Sequence, residues 1–193
     1  MKREVSYPKA IYLVSNNVDK FHEVKTVLNE FGLATVLLRI KDPEIQSDSI
    51  EEISKVSARS MARKLNLSVV TEDAGLFIDA LKGFPGPYSS YVYRTIGNEG
   101  ILNLMKGVSD RSAEFRSAVA FAEPGGETKV FRGVVRGRIA TKVVRGREFG
   151  FDPIFMPEGF NGRVFAELSI EEKSKVSHRG LAFRSFAEWY INR

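Results

Sequence analysis

Ala10-Ile11-Tyr12-Leu13-Val14 is an apolar run that passes at once into a polar turn, Ser15-Asn16-Asn17-Val18-Asp19-Lys20. Beyond the turn Phe21, Val24, Leu28 and Phe31 recur at helical spacing, and Gly32 stands where a helix would stop. A buried strand feeding straight into a helix constrains the fold more than any other feature of this chain. The strand needs partners on its edges and the helix needs a sheet face to cover. The turn between them leaves free backbone N–H groups at a helix N-terminus, where the helix dipole favours an anion. Ser15, Asn16 and Asn17 add side-chain donors, and Lys20 adds a positive charge one turn in. Serine and asparagine also cap helices that bind nothing, so the turn alone does not separate a capped helix from a phosphate cradle. It is not a Walker A loop, because no G-x-x-x-x-G-K pattern occurs.

The rest of the first half repeats the alternation. Leu33 to Ile40 predicts a second strand. Ser49-Ile50-Glu51-Glu52 has the spacing of a capping box, and Ile50, Ile53, Val56, Met61 and Leu65 follow as a helix. Leu67 to Thr71 predicts a strand that delivers Glu72-Asp73-Ala74-Gly75 at its end, with Leu76 to Leu81 resuming as strand or short helix. Gly83-Phe84-Pro85-Gly86-Pro87 cannot continue either element. Ile101, Leu102 and Met105 suggest a helix ending near Gly107.

In the second half Phe115, Ser117, Val119 and Phe121 alternate with residues expected to face outward, and Val130 to Ile139 returns after the turn Glu123–Glu127. A glycine-bearing aromatic loop follows at Phe149-Gly150-Phe151-Asp152-Pro153. Ser169-Ile170-Glu171-Glu172 repeats the capping-box spacing, and Ala182, Phe186 and Trp189 share one face of a terminal helix. The expected architecture is α/β with a mixed sheet, an arrangement that could place two lobes around a cleft.

Composition narrows the chemistry. The chain has 193 residues, enough for a sizeable core, and no apolar run approaches the roughly 20 residues that span a bilayer. Met1-Lys2-Arg3-Glu4 leads into no long apolar segment, so no signal peptide is expected. The absence of cysteine excludes disulfides, thiolate metal sites and cysteine nucleophiles. With two histidines, His22 and His178, zinc is poorly served and magnesium, which takes oxygen ligands, is the better expectation. A net charge of +5 admits an anionic partner without choosing one.

Four further groups could carry chemistry. Glu72 and Asp73 at a strand end could bind magnesium or take a proton from water, although neighbours on an extended strand face opposite ways. Glu44, after Pro43, is another carboxylate that could join the metal. Phe149 and Phe151, with Gly150 allowing close approach, could offer a flat face to a base, or both rings could pack in the core. His178 and Arg179, with Glu172-Lys173 upstream, could donate to a carbonyl or phosphate. The basic run Lys129, Arg132, Arg136, Arg138, Lys142, Arg145 and Arg147 reads as a solvated face more readily than as a nucleic-acid surface, because no aromatic platform interleaves with it.

The order of these blocks resembles the inosine triphosphate pyrophosphatase family, also called Ham1-like. The blocks are Ser15-x-Asn17-x-x-Lys20, Glu72-Asp73-Ala74-Gly75-Leu76, Gly83 to Ser89, Phe149 to Phe155, and Phe165 to Leu168 followed by Glu172-Lys173 and Ser177-His178-Arg179. The resemblance runs from about Ile11 to Phe186. It implies a magnesium-dependent enzyme that hydrolyses ITP, dITP and XTP to the monophosphate and pyrophosphate. It also implies a long mixed β-sheet with two α/β lobes flanking a central substrate cleft, one two-lobed domain over residues 1–193, a cytoplasmic homodimer, and no stable nucleic-acid or membrane partner. Ser15, Asn16, Asn17, Val18, Asp19 and Lys20 would hold the triphosphate. Glu44 and Asp73 would bind magnesium, with Asp73 also the proton acceptor and Ala74 a substrate contact. Phe149, Gly150, Phe151 and Asp152 would pack on base and ribose, and Lys173, His178 and Arg179 would read the base. Two departures stand out: Ser57, with Lys55 out of register, and Ser90 occupy positions where some members carry lysine. A Maf-like nucleotide pyrophosphatase of related fold is the nearest rival, and the Ser177-His178-Arg179 block argues against it. A basic nucleic-acid-binding module is the rival from another class.

Overall fold

The computed structural model describes residues 9–41, 45–147 and 149–193. Glu44 and the amino-terminal stretch Met1–Glu4 lie outside them. Among the described residues the elements run β1 (Ala10–Val14), α1 (Val18–Asn29), β2 (Ala34–Leu38), α2 (Ile50–Leu65), β3 (Val69–Ile78), β4 (Pro85–Gly86), α3 (Ser89–Thr95), α4 (Gly97–Leu104), β5 (Ser112–Ala122), β6 (Thr128–Ile139), β7 (Phe155–Pro157), α5 (Ile170–Val176) and α6 (His178–Ile191). Short 3₁₀ turns lie at Asp79–Leu81, Asp152–Ile154 and Phe165–Glu167.

The strands form a mixed seven-stranded sheet in the order β2-β1-β3-β5-β6-β7, with β4 on β3. β1 lies parallel to β2 and β3, and β3, β5 and β6 are antiparallel. The strand–turn–helix unit is as the sequence implies. Asn17 caps α1 by accepting from the Lys20 N–H at 3.0 Å, and Gly32 closes its far end at φ +67°. α1 and α6 cover one face of the sheet, where Val24, Val27, Leu28, Phe183 and Phe186 pack on Ile11, Leu13, Val70, Val119 and Phe121. On the other face Ala58, Met61 and Ala62 of α2 pack on Val14, Val69, Ala120 and Ala122. A separate cluster joins Leu76, Ile78, Phe115 and Ile139 to Val92, Ile101, Met105, Phe151 and Phe165. No described helix is long and apolar enough to cross a membrane.

Four expectations need correction. β3 does not end before Glu72; it runs unbroken to Ile78, because β5 pairs with it from Val69↔Ala122 to Ile78↔Ala113 and satisfies its backbone groups. Of the β5 residues expected to face outward, Arg116 does, but the alanines do not. Ala118, Ala120 and Ala122 lie buried, the latter two under α2, and their small side chains let the helix come close. Pro85-Gly86 does form regular structure, pairing with Phe77 and Leu76. Of the two capping boxes, only Ser169/Glu172 is reciprocal. Ser49 accepts from the Glu52 N–H at 3.2 Å, but the Glu52 carboxylate takes the Ser47 hydroxyl instead.

A candidate active site in a charged cleft

One edge of β3 is only partly paired. β1 meets it at Leu13↔Val70 and β4 at Leu76 and Phe77, which leaves Thr71 to Gly75 facing a gap. A cleft of about 640 Å³ opens there. Ser15, Asn16, Asn17, Asp19 and Lys20 line it from the turn before α1, and Asp73 and Ala74 from β3. Phe149, Gly150, Phe151 and Asp152 contribute the aromatic loop, and His178 and Arg179 the first turn of α6. Residues far apart in sequence thus meet in one place. Val18 does not join them: it stands exposed at the first position of α1. Lys173 lies behind the wall rather than in it, buried, with its Nζ 4.9 Å from the centre of the Phe149 ring.

The two phenylalanines divide the roles the sequence left open. Phe151 packs in the core, edge-on to Tyr93 at 5.6 Å. Phe149 is half-buried, with Arg179 Cζ 5.5 Å from its ring centre. His178 lies flat on Phe115, rings 4.5 Å apart and 10° from parallel.

Six buried or half-buried charges of alternating sign run through the site: Asp152, Lys173, Glu23, Arg179, Glu72 and Lys20. Lys173 Nζ pairs with Asp152 and lies 2.6 Å from Glu23 Oε1. Arg179 Nη1 lies 2.6 Å from Glu23 Oε2, and its Nε 3.2 Å from Glu72 Oε1. Lys20 Nζ lies 2.8 Å from Glu72 Oε2 and donates to the Glu72 carbonyl at 3.2 Å. Three acidic and three basic side chains alternate, so their charges offset one another.

Burial and partners compete at every member. Burial pushes the Glu23 carboxyl up, but Arg179 and Lys173 outweigh it and hold it at about 2. At Glu72 burial is likewise overcome by Arg179 and Lys20, so the carboxyl stays well below its ordinary value. Asp152 goes the other way: burial, aided by the Glu23 charge, exceeds the pull of Lys173 and lifts it to about 6. His178 is held well below its usual value by burial and by the adjacent Arg179, so its ring is neutral. Burial opposes the Arg179 charge, yet Glu72 and Glu23 raise that guanidinium further.

This geometry separates the adjacent carboxylates. Glu72 is held by Lys20, Arg179 and the Ser117 hydroxyl. Asp73, one residue on, lines the same cleft. No group of three or more His, Cys, Asp or Glu is poised for a metal among the described residues. A cation at Asp73 could take further oxygen ligands from bound phosphate groups and water, as magnesium commonly does. The oxygen-only donor set fits magnesium on that basis.

Sequence reasoning missed Glu23, Ser117 and Phe115. Glu23 did leave a signal, because Lys20, Glu23 and Val27 continue at helical spacing along the buried side of α1. Ser57 and Ser90 both line the cleft where a lysine was in question. Lys55 does not stand in for either: it is exposed on the outer side of α2 beside Arg59 and Arg63. The basic run behaves as a solvated surface, with Arg132 paired to Glu51 at 2.7 Å and Lys129 over Trp189 at 4.5 Å.

Residues 11–189 match the model of the Ham1 family. The chain belongs to the Ham1 family. It is 52% identical over 183 residues to a dITP/XTP pyrophosphatase of Methanopyrus kandleri, covering 94% of this chain and 96% of that one. It is 46% identical over 176 residues to the dITP/XTP pyrophosphatase of Thermococcus kodakarensis, covering 91% and 94%. Among solved structures, the Ham1 protein of Staphylococcus aureus matches with a TM-score of 0.82 at 30% identity, over 95% of this chain and 99% of that one. A Ham1 protein of Coxiella burnetii matches at 0.83 and 29%, over 96% and 100%. The α/β fold with its long mixed sheet is therefore the Ham1 fold.

Proposed function

We propose that this protein is a nucleoside triphosphate pyrophosphatase that hydrolyses ITP, dITP and XTP to the monophosphate and pyrophosphate, and so removes deaminated purines from the nucleotide pool. The observation that carries the reading is the meeting of the Ser15–Lys20 turn, Asp73, the Phe149–Asp152 loop and the His178-Arg179 pair in one cleft. The pyrophosphatases of Methanopyrus kandleri and Thermococcus kodakarensis, similar along nearly the whole chain, support the substrate class.

The reaction is a displacement at the α-phosphorus. Water adds, the bond to the oxygen bridging toward the β-phosphorus breaks, and pyrophosphate leaves with the electron pair. Lys20 and the α1 N-terminus hold the outer phosphates. Asp73 orients the water and takes its proton. Magnesium, held by Asp73 and by Glu44 of the segment outside the described residues, would neutralise charge on the phosphate oxygens. The base lies against Phe149 and near His178 and Arg179. Inosine and xanthine bases present a 6-keto acceptor that a donor such as Arg179 welcomes, whereas adenine presents an amino donor. Lys173 acts from behind, fixing Asp152 and the Phe149 loop. The enzyme works as one two-lobed domain, in a cytoplasmic homodimer, without a stable nucleic-acid or membrane partner.

The test is pyrophosphate release from ITP, dITP, XTP, ATP, GTP, CTP and UTP with magnesium. ITP, dITP and XTP should exceed ATP by at least about tenfold in kcat/KM, as a polar mismatch implies. Comparable rates on ATP and ITP would remove base reading from the proposal. Asp73→Asn should lower kcat about a hundredfold or more while the fold survives. A folded mutant with near-normal turnover would end that role for Asp73.

A further inference from the structure

The gap in the sheet is bridged by a side chain. The Leu76 N–H points to the open edge of β3, since it donates there to the Ser89 hydroxyl oxygen at 2.8 Å. Backbone groups two residues apart on a strand face the same side, so those of Glu72 and Ala74 face the gap as well. Lys20 reaches across and closes on Glu72 twice, at the carbonyl (3.2 Å) and at Oε2 (2.8 Å). The other carboxylate oxygen, Oε1, meets Arg179 Nε at 3.2 Å and accepts from Ser117 Oγ at 2.7 Å.

These partners differ in kind. Lys20 and Arg179 line the cleft, carry charge, and are open to competition from an anionic substrate. Ser117 is neutral, 1% exposed and no part of the cleft lining. It stands mid-strand on β5, opposite Ala74 on one side and Gly133 on the other. When phosphates draw Lys20 toward themselves, the Ser117 bond stays. The terminal torsion of a glutamate is broad, so one donor fixed by a sheet decides which way its oxygens point.

We propose that Ser117 is a positioning residue for the hydrolysis: its hydroxyl fixes the Glu72 carboxylate, and Glu72 in turn aims Lys20 at the phosphates. This rests on the reading of Lys20 as a phosphate-binding residue. Alanine fills nearly the same volume as serine, so a merely space-filling role predicts no kinetic change in Ser117→Ala.

The experiment is steady-state ITP hydrolysis by Ser117→Ala, Ser117→Cys, Lys20→Ala and the double variant Ser117→Ala/Lys20→Ala, with circular dichroism melts alongside. Ser117→Ala should raise KM about tenfold, the size of one hydrogen bond to a charged group, and change kcat less than about twofold. Ser117→Cys, whose thiol is a weak donor, should recover part of that loss. In the Lys20→Ala background Ser117→Ala should add nothing, because the two act in series. A folded Ser117→Ala with wild-type KM, or full additivity in the double variant, overturns the assignment. If Ser117→Ala does not fold, Ser117→Cys decides: a raised KM supports the role and a wild-type KM overturns it. Should Lys20→Ala itself leave KM unchanged, the phosphate-cradle reading fails. Should Lys20→Ala raise KM while Ser117→Ala does not, only the Ser117 assignment fails.

Discussion

Glu23 and Asp152 are pushed in opposite directions by the same buried chain of charges, and each leaves a pH signature. Glu23 sits at about 2 in the fold against an ordinary 4.5, because Arg179 and Lys173 more than reverse the effect of burial. A depressed carboxyl stabilises the fold above its unfolded value, and that stabilisation is lost as pH falls through the folded one. Roughly 3 kcal/mol should therefore disappear between about pH 4.5 and pH 2. Glu23→Gln should flatten that window in urea denaturation, and at neutral pH should cost about 3–5 kcal/mol, since it leaves Arg179 and Lys173 undercompensated. An unchanged slope with pH would show that the charges do not act as a unit. Asp152 has the reverse sign. Burial lifts it to about 6, so its protonated form stabilises the fold at low pH and that contribution is lost as pH rises through about 6. The pH profile of kcat/KM should carry a titration near 6 that is absent in Asp152→Asn. Single residues of this kind were only half legible. The motif order singled out Lys173, Arg179 and Asp152, but nothing in it says that Glu23 stands between the two cations.

Elements position these residues by close backbone approach. Gly133 of β6 has no room for a side chain: a Cβ there would lie 2.0 Å from the His178 carbonyl and 2.7 Å from the Ala182 nitrogen. β6 thus presses directly on the first turn of α6, the turn that carries His178 and Arg179. Gly133→Ala should push that turn outward, cost about 1–3 kcal/mol or more, and raise KM for ITP. A variant with unchanged melting temperature and kinetics would show that α6 is not seated this way. Gly75 is similar, since a Cβ would come within 2.2 Å of the Gly86 carbonyl where β4 joins β3. Helices α1 and α2 were legible because periodicity and capping are local properties, and α6 was read from Ala182, Phe186 and Trp189. The continuity of β3 was not, because Glu72-Asp73-Ala74-Gly75 has poor strand chemistry and is held in the sheet by β5, about 45 residues away along the chain. α3 was missed for a related reason: seven residues following a Gly-Pro segment show too little periodicity to stand out.

At the scale of the whole molecule, the cleft forms because the sheet changes partners along one edge of β3, parallel β1 giving way to antiparallel β4. Asp73 lines the cleft in that interval, where no group of three or more His, Cys, Asp or Glu is poised for a metal among the described residues. Magnesium should accordingly bind weakly to the protein alone and at least about tenfold more tightly when a non-hydrolysable triphosphate analogue supplies oxygens. Calorimetric titration with and without the analogue measures this, and equal affinities would place the metal elsewhere. The sequence by itself determined the strand–turn–helix unit, the Ser169/Glu172 capping box and, through the order of five motif blocks, membership of the Ham1 family. Those are properties of spacing along the chain. Only the tertiary structure decided that Lys20 and Arg179 hold Glu72, that Lys173 stands behind the cleft, and that Phe151 is packed into the core while Phe149 stays half-buried. Those outcomes depend on which charges and rings meet across strands and helices distant in sequence, and the cost of burying an unpaired charge makes each choice of partner matter.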